Sequence, residues 1–164
     1  MKATPVAGLV LAFALIACEN GSPTLPATVI RSGDILARLH LGPWSYTGFD
    51  NVRRQIITDQ VTLATTWAAL YRGQSPIPPV PVVEFDKEEV VLVAMGIRNS
   101  GGYTIEIRRV SEDDSGRTIE VRELSPGSTC GVTTALTSPA DAMVLPASRG
   151  LTIHFVEVRE TQTC

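Results

Sequence analysis

The spacing of hydrophobic and polar residues predicts β-strands along much of the chain. Residues 103–110 and 117–124 carry an apolar side chain at nearly every second position, and an acidic turn at 112–116 separates them. Two alternating segments joined by a short turn are typical of an antiparallel hairpin. Residues 89–95 are almost continuously apolar, which predicts a central strand that is buried on both faces.

Weaker patterns predict further strands. Residues 52–58 and 151–159 are both interpreted as strands. The apolar positions of the second change phase after Phe155, which predicts a bulge or a strand that changes neighbours. Val144 and Leu145 predict a short edge strand that ends at Pro146. Residues 29–41 fit either a strand or a short helix.

One helix is predicted after residue 59. Asp59 suits the N-cap, because its carboxylate accepts hydrogen bonds from the free amides of the first turn. Gly73 is a natural stop. Four apolar residues between them recur at the spacing of one helix face, namely Leu63, Trp67, Leu70 and Tyr71. Because the strands are not separated by helices, we expect an α+β fold with a mostly antiparallel β-sheet of about five to seven strands and one covering α-helix.

The composition permits one buried core and argues against binding to nucleic acid. The 164 residues are 44% hydrophobic and 19% charged, with a net charge of −3. A chain of this length and hydrophobicity buries a core of its own. Partners made of nucleic acid usually require a basic face. We therefore expect one globular domain over residues 29–164 and no nucleic-acid partner.

The N-terminal residues have the pattern of an export signal. The uncharged apolar run at 6–17 is shorter than the roughly 20 residues that a membrane-spanning helix needs. It ends in Leu15-Ile16-Ala17-Cys18, which resembles the lipobox of bacterial lipoproteins. The resemblance implies a signal peptide at 1–17, lipid on Cys18, a flexible tether over 18–28, and a membrane-anchored location in the bacterial cell envelope, facing the periplasm or the exterior. An ordinary secretory signal and a short N-terminal membrane anchor are the alternatives.

Two cysteines remain once Cys18 is assigned to lipid, and these are Cys130 and Cys164. Paired cysteines are usual in exported proteins, so a disulfide bond between them is predicted. Two free thiols are the alternative.

The sequence contains no recognisable constellation for catalysis, for a metal or for a cofactor. The two histidines, His40 and His154, stand in no metal-ligand spacing, and no nucleophile elbow or phosphate-binding glycine motif occurs. We therefore expect no enzymatic activity, no catalytic residues, no metal and no cofactor. A small hydrolase is an alternative, and it requires His40 or His154 in a cleft with a serine or carboxylate partner.

A glycine-rich segment follows the predicted central strand at 89–95. Its glycines permit positive φ angles or close approach of the backbone. Its polar and aromatic side chains offer donors and a ring edge to a partner. The candidate partner-binding residues are Arg98, Asn99, Gly101, Gly102 and Tyr103. The alternative is a plain hairpin loop in which the glycines serve only the turn.

Several motifs between residues 83 and 146 occur together in one known family. They are Val83-Glu84-Phe85, the valine-rich strand to Gly96, Gly101-Gly102-Tyr103 before an alternating strand, residues 117–127, Thr137-Ser138-Pro139 and Val144-Leu145-Pro146. Together they resemble the C-terminal domain family of PrcB, a subunit of a protease complex. Glu84 stands where the family usually has Asp, and Ser100 where it usually has Thr.

The resemblance implies a function without catalysis. PrcB is a bacterial lipoprotein that associates with and stabilises a surface protease. By likeness we expect a lipid-anchored envelope protein that binds or stabilises a partner, an envelope or surface protein such as a protease. Binding would use residues 97–103 or strand addition at an exposed sheet edge. An envelope protease inhibitor is the alternative, acting through the rigid proline-rich segment 76–81 or the loop 125–139.

Overall fold

The computed structural model describes residues 28–30, 37–39, 41 and 46–164. The predicted signal peptide, the lipidation site Cys18, most of the tether and His40 lie outside the described residues. The elements, in chain order, are β1 (Thr28–Ile30), β2 (Ala37–Arg38), β3 (Val52–Ile57), α1 (Gln60–Leu70), β4 (Glu88–Met95), β5 (Thr104–Asp113), β6 (Gly116–Pro126), β7 (Ala140–Pro146) and β8 (Ile153–Gln162).

The strands form two four-stranded sheets rather than one. The inner sheet has the order β2-β7-β4-β3, and the outer sheet has the order β1-β5-β6-β8. All pairs are antiparallel except β6 with β8. Six of the strands have at least six residues, and α1 is the one helix among the described residues. The predicted α+β class, with mostly antiparallel strands and one covering helix, is confirmed, and the strands are divided between two sheets.

The inner sheet lies between the helix and the outer sheet. Alternate side chains of β4, including Val90 and Leu92, pack against Leu63, Trp67 and Leu70 of α1. The intervening side chains of β4, with Met143 and Leu145 of β7, pack against β5 and β6 of the outer sheet. Two apolar layers therefore enclose β4, which confirms the prediction of a strand buried on both faces.

The helix begins as its cap predicts. Asp59 accepts hydrogen bonds from the backbone amide of Thr62 at 2.8 Å and from its hydroxyl at 2.7 Å. The bond from the backbone amide, and to a lesser extent that from the hydroxyl, lowers the pKa of Asp59 below its usual 3.8. The helix ends at Leu70, with Tyr71 as the C-cap and Gly73 in the left-handed region at φ 81°.

The predicted hairpin is present, because β5 and β6 pair around a turn at Asp114 and Ser115. The predicted irregularity in the last strand is wrong. β8 stays in register with β6 from Ile153 to Gln162. The register shift lies instead in β5, between Ile107 and Arg109.

The apparent change of phase in β8 has a different cause. Ile153 and Phe155 pack into the core between the sheets, and the next side chains on that face are Glu157 and Arg159. Val156 points the other way and is exposed. The strand therefore keeps its phase, while its inward face changes from apolar to charged.

β7 also differs from its prediction. It has seven residues and lies between β2 and β4, so it is not an edge strand. Its Asp141 is buried and contacts the irregular part of β5. The carboxylate accepts the backbone amide of Ile107 at 2.8 Å and forms an ion pair with Arg38, which also donates to the Ile107 carbonyl oxygen at 3.1 Å. The register shift in β5 is thus compensated by side chains of the inner sheet.

Candidate functional site

Three loops meet at one end of the two sheets, and we call this region the loop end: residues 46–51, 96–103 and 127–139. The amide of Ile97 donates to the Asp50 carbonyl oxygen at 3.1 Å. Arg98 and Thr137 exchange two backbone hydrogen bonds, of 2.7 and 3.0 Å. Each loop is therefore held by its neighbours rather than projecting alone.

The glycine-rich segment is a crossover between the two sheets. β4 belongs to the inner sheet and β5 to the outer sheet, so the alternative of a plain hairpin loop is wrong. The Gly101 amide donates to the Thr133 carbonyl oxygen at 2.9 Å, and a Cβ on Gly101 would lie 2.5 Å from the Thr133 hydroxyl. Gly102 has φ +85°, and a Cβ there would lie 3.0 Å from Pro126 and from Val132. Both glycines are required by close packing against loop 127–139.

The side chains of this segment differ in their surroundings. Tyr103 is half-buried and packs against the core between the sheets. The guanidinium carbon of Arg98 lies 5.8 Å from the centroid of the Tyr103 ring, within cation–π range. Asn99 is exposed. The fold therefore orients Arg98 and Tyr103 together and leaves Asn99 in solvent.

A cleft of about 330 Å³ opens beside this pair, between the ends of the two sheets. Its walls come from both sheets and from the crossover segment. They are formed by Val52, Met95, Arg98, Tyr103, Glu123, Ser125, Glu157 and Arg159. The cleft lies where the inward-facing side chains of β8 change from apolar to charged, at Glu157 and Arg159.

Four charges bridge the two sheets at the cleft. Arg54 of β3 contacts Glu123 at 2.5 Å and Glu157 at 2.9 Å. Arg159 contacts Glu157 at 2.5 Å and Glu123 at 3.5 Å. The side chain of Glu123 is only 8% exposed, so these ion pairs replace its contacts with water.

Arg98 is the fifth charge at the cleft, and it has no carboxylate partner among the described residues. Its guanidinium donates one long hydrogen bond, of 3.3 Å, to the carbonyl oxygen of the neighbouring Ile97. The two arginines and two glutamates of the bridge neutralise one another. The cleft therefore has one excess positive charge, in a chain whose net charge is −3.

The disulfide reinforces the loop end. Cys130 and Cys164 are bonded, with their Cα atoms 5.1 Å apart, which confirms the predicted pairing. Cys130 lies in loop 127–139, and Cys164 follows β8. The bond therefore joins that loop to the strand that lines the cleft.

The outer face of the outer sheet carries charges that are paired with one another. Arg122 donates to Glu160 at 2.8 Å and to Glu106 at 3.1 Å. The hydrogen bond from Arg122 lowers the pKa of Glu160 below its usual value.

His154, one of the two histidines that the hydrolase alternative could use, is not in the cleft. His154 is exposed on β8, and its Nε2 lies 3.4 Å from the Ser115 carbonyl oxygen, at the opposite end of the sheets. The other histidine, His40, lies outside the described residues. Within the described part of the chain, no three His, Cys, Asp or Glu side chains are grouped to hold a metal ion. No helix there has the length and apolarity needed to cross a bilayer.

A comparison with known protein families gives a match that includes two of the three loops of the loop end. Residues 90–146 match the family described as PrcB C-terminal. The match confirms the resemblance inferred from the motifs between 83 and 146. It runs from β4 to β7 and includes both loops that pack on each other at the loop end. No curated protein and no solved structure matches the chain.

The sequence pointed to Arg98 and Tyr103 on one wall of the cleft but not to the charged residues on the opposite wall. Glu123 stands in phase with the buried Ile119 and Val121, and Glu157 and Arg159 continue the inward face of β8. A charged residue at an inward position of an alternating strand is the signal that could have identified them.

Proposed function

We propose that the protein is a non-enzymatic, lipid-anchored protein of the bacterial cell envelope that binds or stabilises a partner protein. The observation that carries this proposal is the family match, because it covers the crossover segment and the loop that supports it. PrcB itself is a subunit of a protease complex, so a protease is the first partner to test. The anchor rests on the lipobox-like residues before Cys18.

The geometry of the loop end supports binding rather than catalysis. A binding surface benefits from groups that are oriented before the partner arrives, because fewer side chains must then be ordered. Arg98 and Tyr103 are oriented in this way by the backbone bonds to Thr137 and by the packing of Gly101 on Thr133. Arg and Tyr are also enriched among the residues that dominate binding energy at interfaces.

Affinity capture of the full-length protein from detergent-solubilised membranes tests the proposal. We expect one stoichiometric envelope or surface protein, and we expect Arg98→Ala with Tyr103→Ala to lose most of it. Arg149→Ala is the matched control, because Arg149 is exposed in the turn before β8 at the opposite end. Equal capture by the folded double variant would refute the assignment of the surface. The mass of the captured chain reports whether Cys18 carries lipid.

A protease inhibitor is the second candidate, and the disulfide favours it. Loop 127–139 is tethered through Cys130 and exposes Val132 (42%) and Leu136 (58%), as a preorganised inhibitory loop would. Inhibition assays against a panel of proteases distinguish the two candidates. A stabilising partner leaves proteolysis of small substrates unchanged, whereas an inhibitor abolishes it.

A further inference from the structure

β3 is the last strand of the inner sheet, and the edge that faces away from β4 has no neighbouring strand among the described residues. The hydrogen bonds of the neighbouring strand β4 show which amides and carbonyls of β3 point toward β4 and which point toward the open edge. The amide of Met95 donates to the Pro139 carbonyl oxygen, away from β3. Because backbone groups alternate in direction along a strand, those of Ala94 point toward β3.

This alternation fixes which residues of β3 remain free to pair. Arg53 is opposite Ala94 and Gln55 is opposite Leu92, so their amides and carbonyls bond to β4. The amides and carbonyls that face the open edge belong to Val52, Arg54 and Ile56. Such an edge is a template on which another extended chain can add as a strand.

The edge is accessible where it adjoins the cleft. A groove of about 410 Å³ follows residues 51–55. Val52 lines both this groove and the cleft that contains Arg98, and its side chain is 54% exposed. A chain added along β3 therefore passes the mouth of the cleft.

The charges beside this edge that have no ion-pair partner among the described residues are positive on both of its sides. The guanidinium of Arg53 lies 4.4 Å from the centroid of the Phe49 ring, and that of Arg98 lies over Tyr103. Neither has a carboxylate partner among the described residues. The other long edge, on β8, carries Glu157, Arg159 and Glu160, so its charges are mixed.

We propose that the free edge of β3 binds an extended acidic segment of the partner protein as an additional strand, with a carboxylate on Arg98. This rests on the proposed function and specifies its binding mode. Backbone hydrogen bonds to Val52, Arg54 and Ile56 supply the pairing, and the unneutralised arginines select for acidic side chains. Pairing of β3 with a second copy of itself is disfavoured, because it would bring the arginines of both copies together.

The probe is a blocked peptide of roughly seven residues, the length of an ordinary strand, in which valine and glutamate alternate. Its control is the same peptide with glutamine in place of glutamate. Amide hydrogen exchange, followed by NMR, is measured with and without peptide. We expect the amides of Val52, Arg54 and Ile56 to become protected, and those of Arg53 and Gln55 to change little, since β4 already protects them. The glutamine peptide should bind about tenfold more weakly.

Two variants test the two parts of the proposal. Val52→Pro removes an edge donor without removing a bond to β4 and should weaken binding about fivefold, whereas Val82→Pro, at an exposed valine elsewhere, should not. Arg98→Gln should weaken binding of the glutamate peptide about tenfold and leave binding of the glutamine peptide unchanged. Arg149→Gln is its control.

Three results would overturn this inference: no saturable binding of the glutamate peptide, binding without protection of the three edge amides, or a concentration-dependent dimer that protects them without peptide. The exchange measurement does not depend on the folding of any variant. If Val52→Pro still captures the partner while Tyr103→Ala does not, the proposed function stands and the edge is not its site. If the peptide binds but membranes yield no partner, the proposed function fails instead.

Discussion

The buried ion pair between Arg117 and Glu89 should be among the most destabilising sites to disrupt. Arg117, in β6 of the outer sheet, has a side chain that is only 2% exposed. It donates to Glu89 of β4 at 2.6 Å, to the Pro146 carbonyl oxygen at 2.8 Å and to Glu112 at 2.6 Å. These bonds join the two sheets at the end opposite the cleft.

The loss of stability expected on removing Arg117 follows from the partners that Glu89 keeps. Arg117→Met leaves the buried Glu89 carboxylate with only the amide and hydroxyl of Ser148, at 3.0 and 2.8 Å. Removing one partner of a buried ion pair costs about 3–5 kcal/mol. Because a domain of ordinary stability has about 5–15 kcal/mol, this variant should lose a large share of its free energy of unfolding.

The pair also predicts how the double substitution behaves. Glu89→Met with Arg117→Met removes both charges and leaves apolar side chains between the sheets. Replacing a buried ion pair by packed apolar side chains is often neutral or stabilising. We therefore expect the double variant to be more stable than Arg117→Met alone, with a coupling of about 2 kcal/mol between the two positions.

Urea unfolding, followed by circular dichroism, measures these free energies. Arg122→Met is the matched control, because Arg122 makes two ion pairs on the outer face of the sheet and is more exposed than Arg117. Its unfolding midpoint should move little. A loss below about 1 kcal/mol for Arg117→Met, or a double variant no better than the sum of the singles, would refute this account of the pair.

Three further outcomes are expected from the fold. Removing the disulfide by Cys130→Ser with Cys164→Ser should cost about 3–4 kcal/mol of unfolding free energy, since the bond closes a loop with a sequence separation of 34; a loss near zero in urea unfolding would contradict this. Gly102→Ala should cost about 1–2 kcal/mol, because φ is +85° and the new Cβ meets Pro126 and Val132; an unchanged midpoint in the same assay would count against it. The lowered pKa of Asp59 means that its cap stabilises the protein above pH 3.8 and that this stability is lost as the pH falls through the lowered pKa. Asp59→Asn keeps a capping side chain that does not titrate, so its melting temperature should fall less between pH 5 and pH 2 than that of the parent protein, and equal slopes would exclude the cap as the source.

The loop end shows why only part of the site followed from local pattern. Arg98, Asn99, Gly101, Gly102 and Tyr103 are close in sequence, so one glycine-rich segment was enough to name them as candidates, and two of them, Arg98 and Tyr103, line the cleft. Whether that segment turned back as a hairpin or crossed to a second sheet depended on how β4 and β5 found their partners. The alternation of side chains is the same in both cases, because an alternating sequence identifies a strand but does not show which strand lies beside it.

The hydrophobic pattern determined the hairpin of β5 and β6, the buried β4 and the capped α1, because each depends on residues that are neighbours in the chain. Cysteine count was enough to predict the pairing of Cys130 with Cys164. Only the tertiary structure decided that there are two sheets, that β7 lies inside one of them, and that the inward charges of β6 and β8 meet Arg54 in a cleft. These features arise from contacts between residues far apart in the chain, 69 and 103 positions in the case of Arg54 with Glu123 and Glu157. Strand pairing over such distances is selected by the burial and charge of the assembled sheets rather than by local propensity.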